Sequence, residues 1–148
     1  ADRIKARQQS YDLEKSGITK TIAKKLCITR PIETTQAREL LNLKDKEQVI
    51  VYEIPYFDLA GVKVKFSRWK VIGLEDRGLK YYQEPNTLPR SYMPPIVNWQ
   101  KVAQDPKQRI LITEGEKKAA CAFCAIQAVM TFHFRPSHCW NFTRPPPS

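Results

Sequence analysis

The first third of the chain has the polar-rich pattern of short helices, with apolar residues recurring every three or four positions. Residues 2–17 (DRIKARQQSYDLEKSG) are mostly polar and predict a helix with a thin apolar face. Residues 18–28 (ITKTIAKKLCI) and 34–43 (TTQARELLNL) predict two further helices, the first of them capped by Thr19. We therefore expect a helical entry segment over residues 1–45.

Beyond that segment the pattern changes to the two-residue period of β-strands. Residues 48–58 (QVIVYEIPYFD) are β-branched and aromatic, and residues 62–73 (VKVKFSRWKVIG) alternate apolar with basic side chains. Residues 58–61 (DLAG) are a turn, so the two runs predict an antiparallel hairpin within a β-rich basic subdomain, residues 46–108. The polar face of the second strand is predicted to present a row of cations to phosphates: Lys63, Lys65, Arg68 and Lys70.

A different local pattern follows in residues 109–130. The apolar run ILIT, residues 110–113, predicts a short buried strand, and the Ala-rich residues 115–130 predict a helix that is apolar nearly all round. A strand, a tight turn and a buried helix begin a βαβ unit. The whole sequence thus predicts an α+β fold: N-terminal short helices, an antiparallel hairpin or sheet, then the first strand-helix unit of an α/β domain.

Glu114 is the candidate functional residue of this unit, because it directly follows the predicted strand. Ligands gather at the carboxyl ends of strands in open α/β sheets, and a carboxylate there can bind Mg²⁺ or act as a general acid or base. Thr113 and Glu116 match the T-x-x-E capping box, which accounts for both without any function. For Glu114 the alternative is a solvated turn residue.

Composition favours an anionic partner. The 148 residues include 25 Lys and Arg against 15 Asp and Glu, a net charge of +10. Residues 59–110 interleave bases with aromatic side chains, a combination that suits single-stranded nucleic acid, although the core is the alternative place for most of those rings. No apolar run approaches the roughly 18 residues that span a bilayer, so no membrane partner is expected.

The four cysteines raise a zinc alternative. Cys121 and Cys124 form a C-x2-C element, followed by His133, His138 and Cys139. Both members of the C-x2-C pair lie inside the predicted helix, and the gap to the first histidine is shorter than in zinc fingers, so buried free thiols are favoured over zinc. Without a secretory signal no disulfide framework is expected, and a cytoplasmic location is predicted.

Four segments, in this order, resemble a known family. ILITEGEKKA is similar to the first motif of Toprim domains, in which a hydrophobic strand ends in a Glu-Gly pair. VIVYEIPYFDLAGVKVKFSRWKV resembles the hairpin that precedes Toprim in phage primase-helicases. LKYYQEPNTLPRSYMPP resembles a segment of a Toprim-associated domain of unknown function found in phage and plasmid replication proteins, and SGITKTIAKKLCI is similar to its entry helix.

The resemblance implies the nucleic-acid-binding part of a primase-like replication protein. It implies single-stranded DNA or primer-template as ligand, with a helicase or another replication protein as a further partner, in a bacterial or phage-infected cell. Glu114 corresponds to the Toprim glutamate, which implies acid-base chemistry or Mg²⁺ binding. The predicted nucleic-acid contacts are Lys63, Lys65, Arg68, Lys70, Lys80, Arg90, Lys117 and Lys118.

The chain departs from this family at the second acidic motif. Toprim domains take their main metal ligands from a later Asp-x-Asp motif, and no acid follows Glu116 here. We therefore expect weak Mg²⁺ binding and no nucleotidyl transfer by this chain alone. Residues 131–148 predict an irregular or disordered tail, and a truncation or frame change is expected to have replaced the sequence from about residue 126 onward. The alternative function is a non-catalytic protein-protein interaction module of a truncated phage or mobile-element replication protein.

Overall fold

The structure is a computed structural model that describes residues 2–44 and 47–132. Its architecture is mixed α+β, which confirms the predicted fold class at that level. The helices are α1 (Asp2–Lys15), α2 (Lys20–Lys25), α3 (Thr34–Leu41), α4 (Trp99–Gln104) and α5 (Glu116–Phe132). The strands are β1 (Ile50–Phe57), β2 (Lys63–Ile72) and β3 (Tyr81–Gln83), with a 3-10 turn at Glu75–Arg77.

The predicted hairpin is confirmed as the centre of an antiparallel sheet with the order β1-β2-β3. Val51 lies opposite Val71, and the register is irregular only between Pro55 and Phe57. The turn between β1 and β2 is ordered by Asp58, whose carboxylate accepts hydrogen bonds from the backbone N–H groups of Ala60 and Val62, both at 2.9 Å. The short Asp58 side chain thus stabilises the hairpin turn by accepting hydrogen bonds from the backbone of the turn.

The two faces of the sheet are covered by different helices, because successive strand side chains point to opposite sides. On the inner face, Tyr52 and Ile54 pack with apolar side chains of α1, α2 and α5. On the outer face, Val51 and Val71 pack with Ala37 of α3. The core therefore consists of two apolar layers, one on each side of β1 and β2.

The predicted strand at residues 110–113 is wrong. These residues form no strand, and the side chains of Ile110, Leu111 and Ile112 are 56%, 51% and 88% exposed. A strand forms only where a neighbour satisfies its backbone groups, and the described residues supply none here. The outer edge of β1 is bonded instead by the segment before α3, where the N–H of Ile32 donates to the carbonyl oxygen of Val51 at 2.9 Å.

The helix predicted after that strand is confirmed as α5, but the predicted capping box is wrong. The helix begins at Glu116, so Thr113 lies too far upstream to cap it, and the buried Thr113 hydroxyl has no hydrogen-bond partner. The predicted tail, residues 131–148, falls outside the described residues apart from its first two positions, which belong to α5. Among the helices of the described residues, none combines the length and apolar character needed to cross a bilayer.

Gly17 joins α1 to α2 and is required there for two reasons. Its φ is +71°, and the N–H of Ile18 beyond it donates to the carbonyl oxygen of Leu13 at 2.9 Å, which closes the end of α1. A Cβ added at Gly17 would lie 2.9 Å from Sγ of Cys121 in α5. Glycine therefore allows both the turn and the close approach of α5.

Replacing Gly17 by Ala is expected to lower the free energy of unfolding by ~1–2 kcal/mol for the left-handed conformation, and by roughly 1 kcal/mol more for the collision with Cys121. Gly78→Ala is the matched control, because its φ is +72° and nothing lies within 4 Å of the added Cβ. Urea denaturation gives both values. Equal losses in the two variants, or an excess of the Gly17→Ala loss over the Gly78→Ala loss that persists in a Cys121→Ala background, would contradict the contact.

Candidate nucleic-acid interface

The sheet separates the hairpin cations that the sequence predicts on one face. Lys65 lines a small outer-face pocket together with Ser67 and Trp69, whereas Arg68 and Lys70 point to the inner face, toward α1 and α5. The prediction of a single row of four exposed cations is therefore wrong. The physical reason is the alternation of the strand, which sends neighbouring side chains to opposite sides.

Lys63 remains exposed, but its charge is partly compensated. Its Nζ lies 2.6 Å from Oε1 of Glu53 on β1, and the Lys63 side chain is 52% exposed against 13% for Glu53. The Ser67 hydroxyl donates to the same carboxylate oxygen at 2.5 Å. Glu53 thus orders the edge of this surface, and Lys63 is a weaker anion ligand than an unpaired lysine would be.

Lys65 lies beside aromatic side chains on the outer face. Trp69 and Tyr82, which are paired in the β2-β3 register, are both partly exposed. The pocket next to Lys65 has a volume of about 70 Å³, and its far wall is formed by Glu84 and Thr87. We call the group Lys63, Lys65, Ser67, Trp69 and Tyr82 the Lys65 surface.

The wall of that pocket is held in place by hydrogen bonds at the end of β3. Nε2 of Gln83 donates to the hydroxyl oxygen of Thr87 at 2.9 Å, and the Thr87 hydroxyl donates to the carbonyl oxygen of Glu84 at 2.6 Å. Asn86 between them has a φ of +61°, a value that asparagine tolerates in tight turns. The shallow pocket is therefore framed by an ordered loop.

Arg68 is engaged within the protein on the inner face. Its Nη1 lies 3.0 Å from Oε1 of Glu116, the first residue of α5, and the hydroxyl of Tyr56 donates to the same oxygen. Glu116 is only 3% exposed. Burial opposes the charge of Arg68, but the Glu116 carboxylate and the Tyr56 hydroxyl outweigh that effect, so the pKa of Arg68 is raised above its usual value.

Lys70 is buried and is not available at the surface. Its Nζ donates to the carbonyl oxygens of Val71 at 2.9 Å and Lys80 at 3.4 Å, and the side chain is 7% exposed. Burial lowers the pKa of Lys70. The role of Lys70 as a nucleic-acid contact stays a prediction, and it would require Lys70 to leave its hydrogen bonds to Val71 and Lys80.

The two lysines at the start of α5 have different environments. Nζ of Lys117 lies 2.9 Å from Oδ2 of Asp12 on α1, which also accepts a hydrogen bond from the Tyr52 hydroxyl at 2.8 Å. Lys117 is 13% exposed and ties α5 to α1. Lys118 is exposed and pairs with Glu114, which lies four residues earlier, before α5 begins.

Glu114 is a surface residue, and its side chain is 85% exposed. The hydrogen bond from Lys118 and its positive charge hold the pKa of Glu114 below its usual value. Among the described residues, no group of three or more His, Cys, Asp and Glu side chains comes together to hold a metal ion. Mg²⁺ at Glu114 stays a prediction, and a single exposed carboxylate supplies few of the six oxygen ligands that Mg²⁺ needs.

The remaining predicted site residues lie at the surface, beside the inner core or outside the described residues. Lys80 and Arg90 are exposed on the segments before and after β3. Cys121 and Cys124 are free thiols on the side of α5 that faces the inner core, and burial raises the pKa of Cys124. The other members of the zinc alternative, His133, His138 and Cys139, lie outside the described residues.

The residues that hold the inner face together, chiefly Asp12, Tyr56 and Glu116, are absent from the predicted site. The T-x-x-E pattern places Glu116 in a cap, although an acid at the start of a largely apolar helix also indicates a buried partner. Tyr56 carried a signal as well, since a tyrosine in a buried strand needs a partner for its hydroxyl. Asp12 gave none, because it lies on a largely polar helix.

Comparison with known proteins neither supports nor contradicts the predicted family. No protein-family model matches the sequence, and neither a curated protein nor a solved structure is significantly similar to it. The resemblance to the Toprim-associated domain stays a prediction from the four motifs.

The buried Glu116 and the exposed Glu114 provide a matched pair for testing which glutamate matters to the fold. Glu116→Ala leaves Arg68 and Tyr56 without their partner, and we expect the free energy of unfolding to fall by about 2–3 kcal/mol, less than for a fully buried pair because Arg68 is 33% exposed. Glu114→Ala removes an exposed pair that solvent screens, and it should leave the free energy of unfolding unchanged within experimental error. Urea denaturation measures both, and equal effects would refute the assignment.

Proposed function

We propose that the Lys65 surface binds single-stranded nucleic acid. The observation that carries the proposal is the placement of an exposed, unpaired lysine next to partly exposed aromatic rings on one face of the sheet. Lys65 makes no ion pair with any acid in the described residues, and Trp69 and Tyr82 lie beside each other across β2 and β3. Single strands need both a cation for phosphate and a flat apolar face for the base.

Each member of the surface has a distinct role in this proposal. Lys65 contacts phosphate directly, and Lys63 does so in competition with Glu53. Trp69 and Tyr82 offer ring faces to unstacked bases, an interaction worth about 1–3 kcal/mol per base. Lys80 and Arg90 are exposed on adjoining segments of the chain and extend the positive charge available to the strand.

The cations of the inner face take no part in the proposed binding. Arg68 is paired with Glu116, Lys117 is paired with Asp12, and Lys70 is buried. Releasing any of them to a phosphate would break contacts between the sheet and its helices. The proposed interface is therefore smaller than the one predicted from the sequence.

The biological context of this proposal rests on the motif resemblances. We propose a primase-like replication protein of a phage or plasmid as that context, with a helicase or another replication protein as partner. Catalysis at Glu114 is not part of the proposal, since Glu114 is 85% exposed and already pairs with Lys118.

A specific observation favours the second candidate function, a protein-protein interaction module. Ile110, Leu111 and Ile112 form an exposed aliphatic run immediately before α5, whereas the first half of α5 is turned inward, with Ala120 only 1% exposed. Exposed apolar runs bordered by polar residues are typical of protein contacts. In this alternative residues 110–112, rather than the apolar side of α5, contact the partner.

The variant Lys63→Gln/Lys65→Gln tests the nucleic-acid proposal. We expect weaker binding of a fluorescently labelled oligo-dT strand and a smaller dependence on salt, with the slope of log K against log salt reduced by about 1.4 because two phosphate contacts are lost. Fluorescence anisotropy across a salt series measures both quantities.

The matched control is Lys101→Gln/Lys107→Gln, which removes the same charge from exposed positions of α4 and the following loop. It should retain the wild-type slope. Equal slopes for the wild type and both variants would exclude the Lys65 surface. No binding by the wild-type protein at low salt would exclude the proposed function and favour the interaction module.

A further inference from the structure

A groove lies between α1, α2 and residues 28–30, and it shares no lining residue with the Lys65 surface. Its volume is about 620 Å³, within the range of roughly 300–1,000 Å³ that is usual for binding pockets. Leu13, Ile18 and Ala23 lie at its base and are only 6%, 1% and 8% exposed, whereas Ala6 is exposed and Ile28 is half-buried, so these two supply the accessible aliphatic lining. The groove thus presents an apolar base that lies against the main core.

The rim of the groove is positively charged. Lys20, Lys24 and Arg30 line it, and Glu14 is the one acid among the lining residues that the structure describes. All three cations are exposed, and none forms an ion pair with an acid in the described parts of the chain. Their charge is therefore available to an occupant of the groove.

The walls of the groove are held by hydrogen bonds that do not involve its rim. Nε2 of Gln9 on α1 donates to the carbonyl oxygen of Thr29 at 2.6 Å, and the N–H of Ile28 donates to the carbonyl oxygen of Ala23 at 3.1 Å. These bonds join α1 and α2 to the segment after α2. A preformed groove loses little conformational freedom when it is filled, which favours binding.

The side chains that line the groove favour an acidic protein segment over nucleic acid. No aromatic side chain lines the groove, so it lacks the ring faces on which nucleic-acid bases stack. An occupant that matches both the floor and the rim carries aliphatic side chains on one side and carboxylates on the other. We propose that this groove binds an acidic amphipathic segment of a partner protein, with aliphatic side chains on Ala6 and Ile28 and carboxylates at Lys20, Lys24 and Arg30.

The probe for this proposal is a fluorescein-labelled synthetic helical peptide with leucines on one face and glutamates on the other. We expect the full chain to bind it, and Lys20→Glu/Lys24→Glu to weaken binding at least about tenfold. Arg3→Glu/Lys15→Glu is the charge-matched control, because both residues are exposed on α1 and neither lines the groove. The control should keep the wild-type affinity to within about twofold, apart from the long-range effect that salt screens.

A second pair of variants tests the groove without changing its charge. Ala6 is exposed on α1 and lines the groove, so Ala6→Trp fills it, whereas Gln8→Trp places the same ring on α1 outside the lining. Only Ala6→Trp should weaken peptide binding about tenfold or more, with circular dichroism unchanged in both.

Each outcome of these titrations decides the proposal. Weakening by both groove variants and by neither control supports it. Absence of peptide binding, or equal weakening by groove and control variants, overturns it. Displacement of the peptide by an oligo-dT strand that also loses affinity in Ala6→Trp would assign the groove to nucleic acid and overturn it as well. The Lys63→Gln/Lys65→Gln variant should bind the peptide normally, so the two proposals fail independently.

Discussion

The buried carboxylate of Glu116 is the constraint on which the arrangement of this protein depends. It is the first residue of α5 and accepts hydrogen bonds from Arg68 and Tyr56 of the sheet. A carboxylate this deeply buried is stable only where hydrogen-bond donors surround it. The hydrogen bonds from Arg68 and Tyr56 therefore fix the start of α5 against the inner face of the sheet. Lys117 and Asp12 add a second link in the same helical turn.

This constraint determines which positive charges remain for a ligand. Arg68 and Lys117 neutralise acids within the protein, and Lys70 is enclosed by the sheet. The exposed bases lie elsewhere, and some of them belong to the Lys65 surface and to the rim of the α1–α2 groove. These two surfaces differ in the apolar side chains beside their cations, which are aromatic in the first and aliphatic in the second.

The same constraint explains why α5 forms where the sequence predicts it while its predicted strand does not. A helix satisfies its own backbone hydrogen bonds, and Glu116 with Ala120 fixes α5 against the inner core. A strand depends on a neighbour, and residues 110–113 have none among the described residues. Their β-branched side chains favour a strand, but a strand forms only when a neighbouring strand is present to pair with it.

The sequence by itself determined the local elements. The two-residue alternation, together with the turn at Asp58, predicted the hairpin, and helical spacing predicted α1, α2 and α5, because these signals depend on near neighbours in the chain. The tertiary structure alone decided which side each cation faces and which acid it meets. Arg68 and Glu116 are 48 residues apart in the chain, and Asp12 and Lys117 are 105 apart, so no local pattern records either pairing. The candidate site could be predicted at Lys63 and Lys65, where exposure follows from strand alternation, and not at Arg68 or Lys70, where a helix distant in sequence covers the strand.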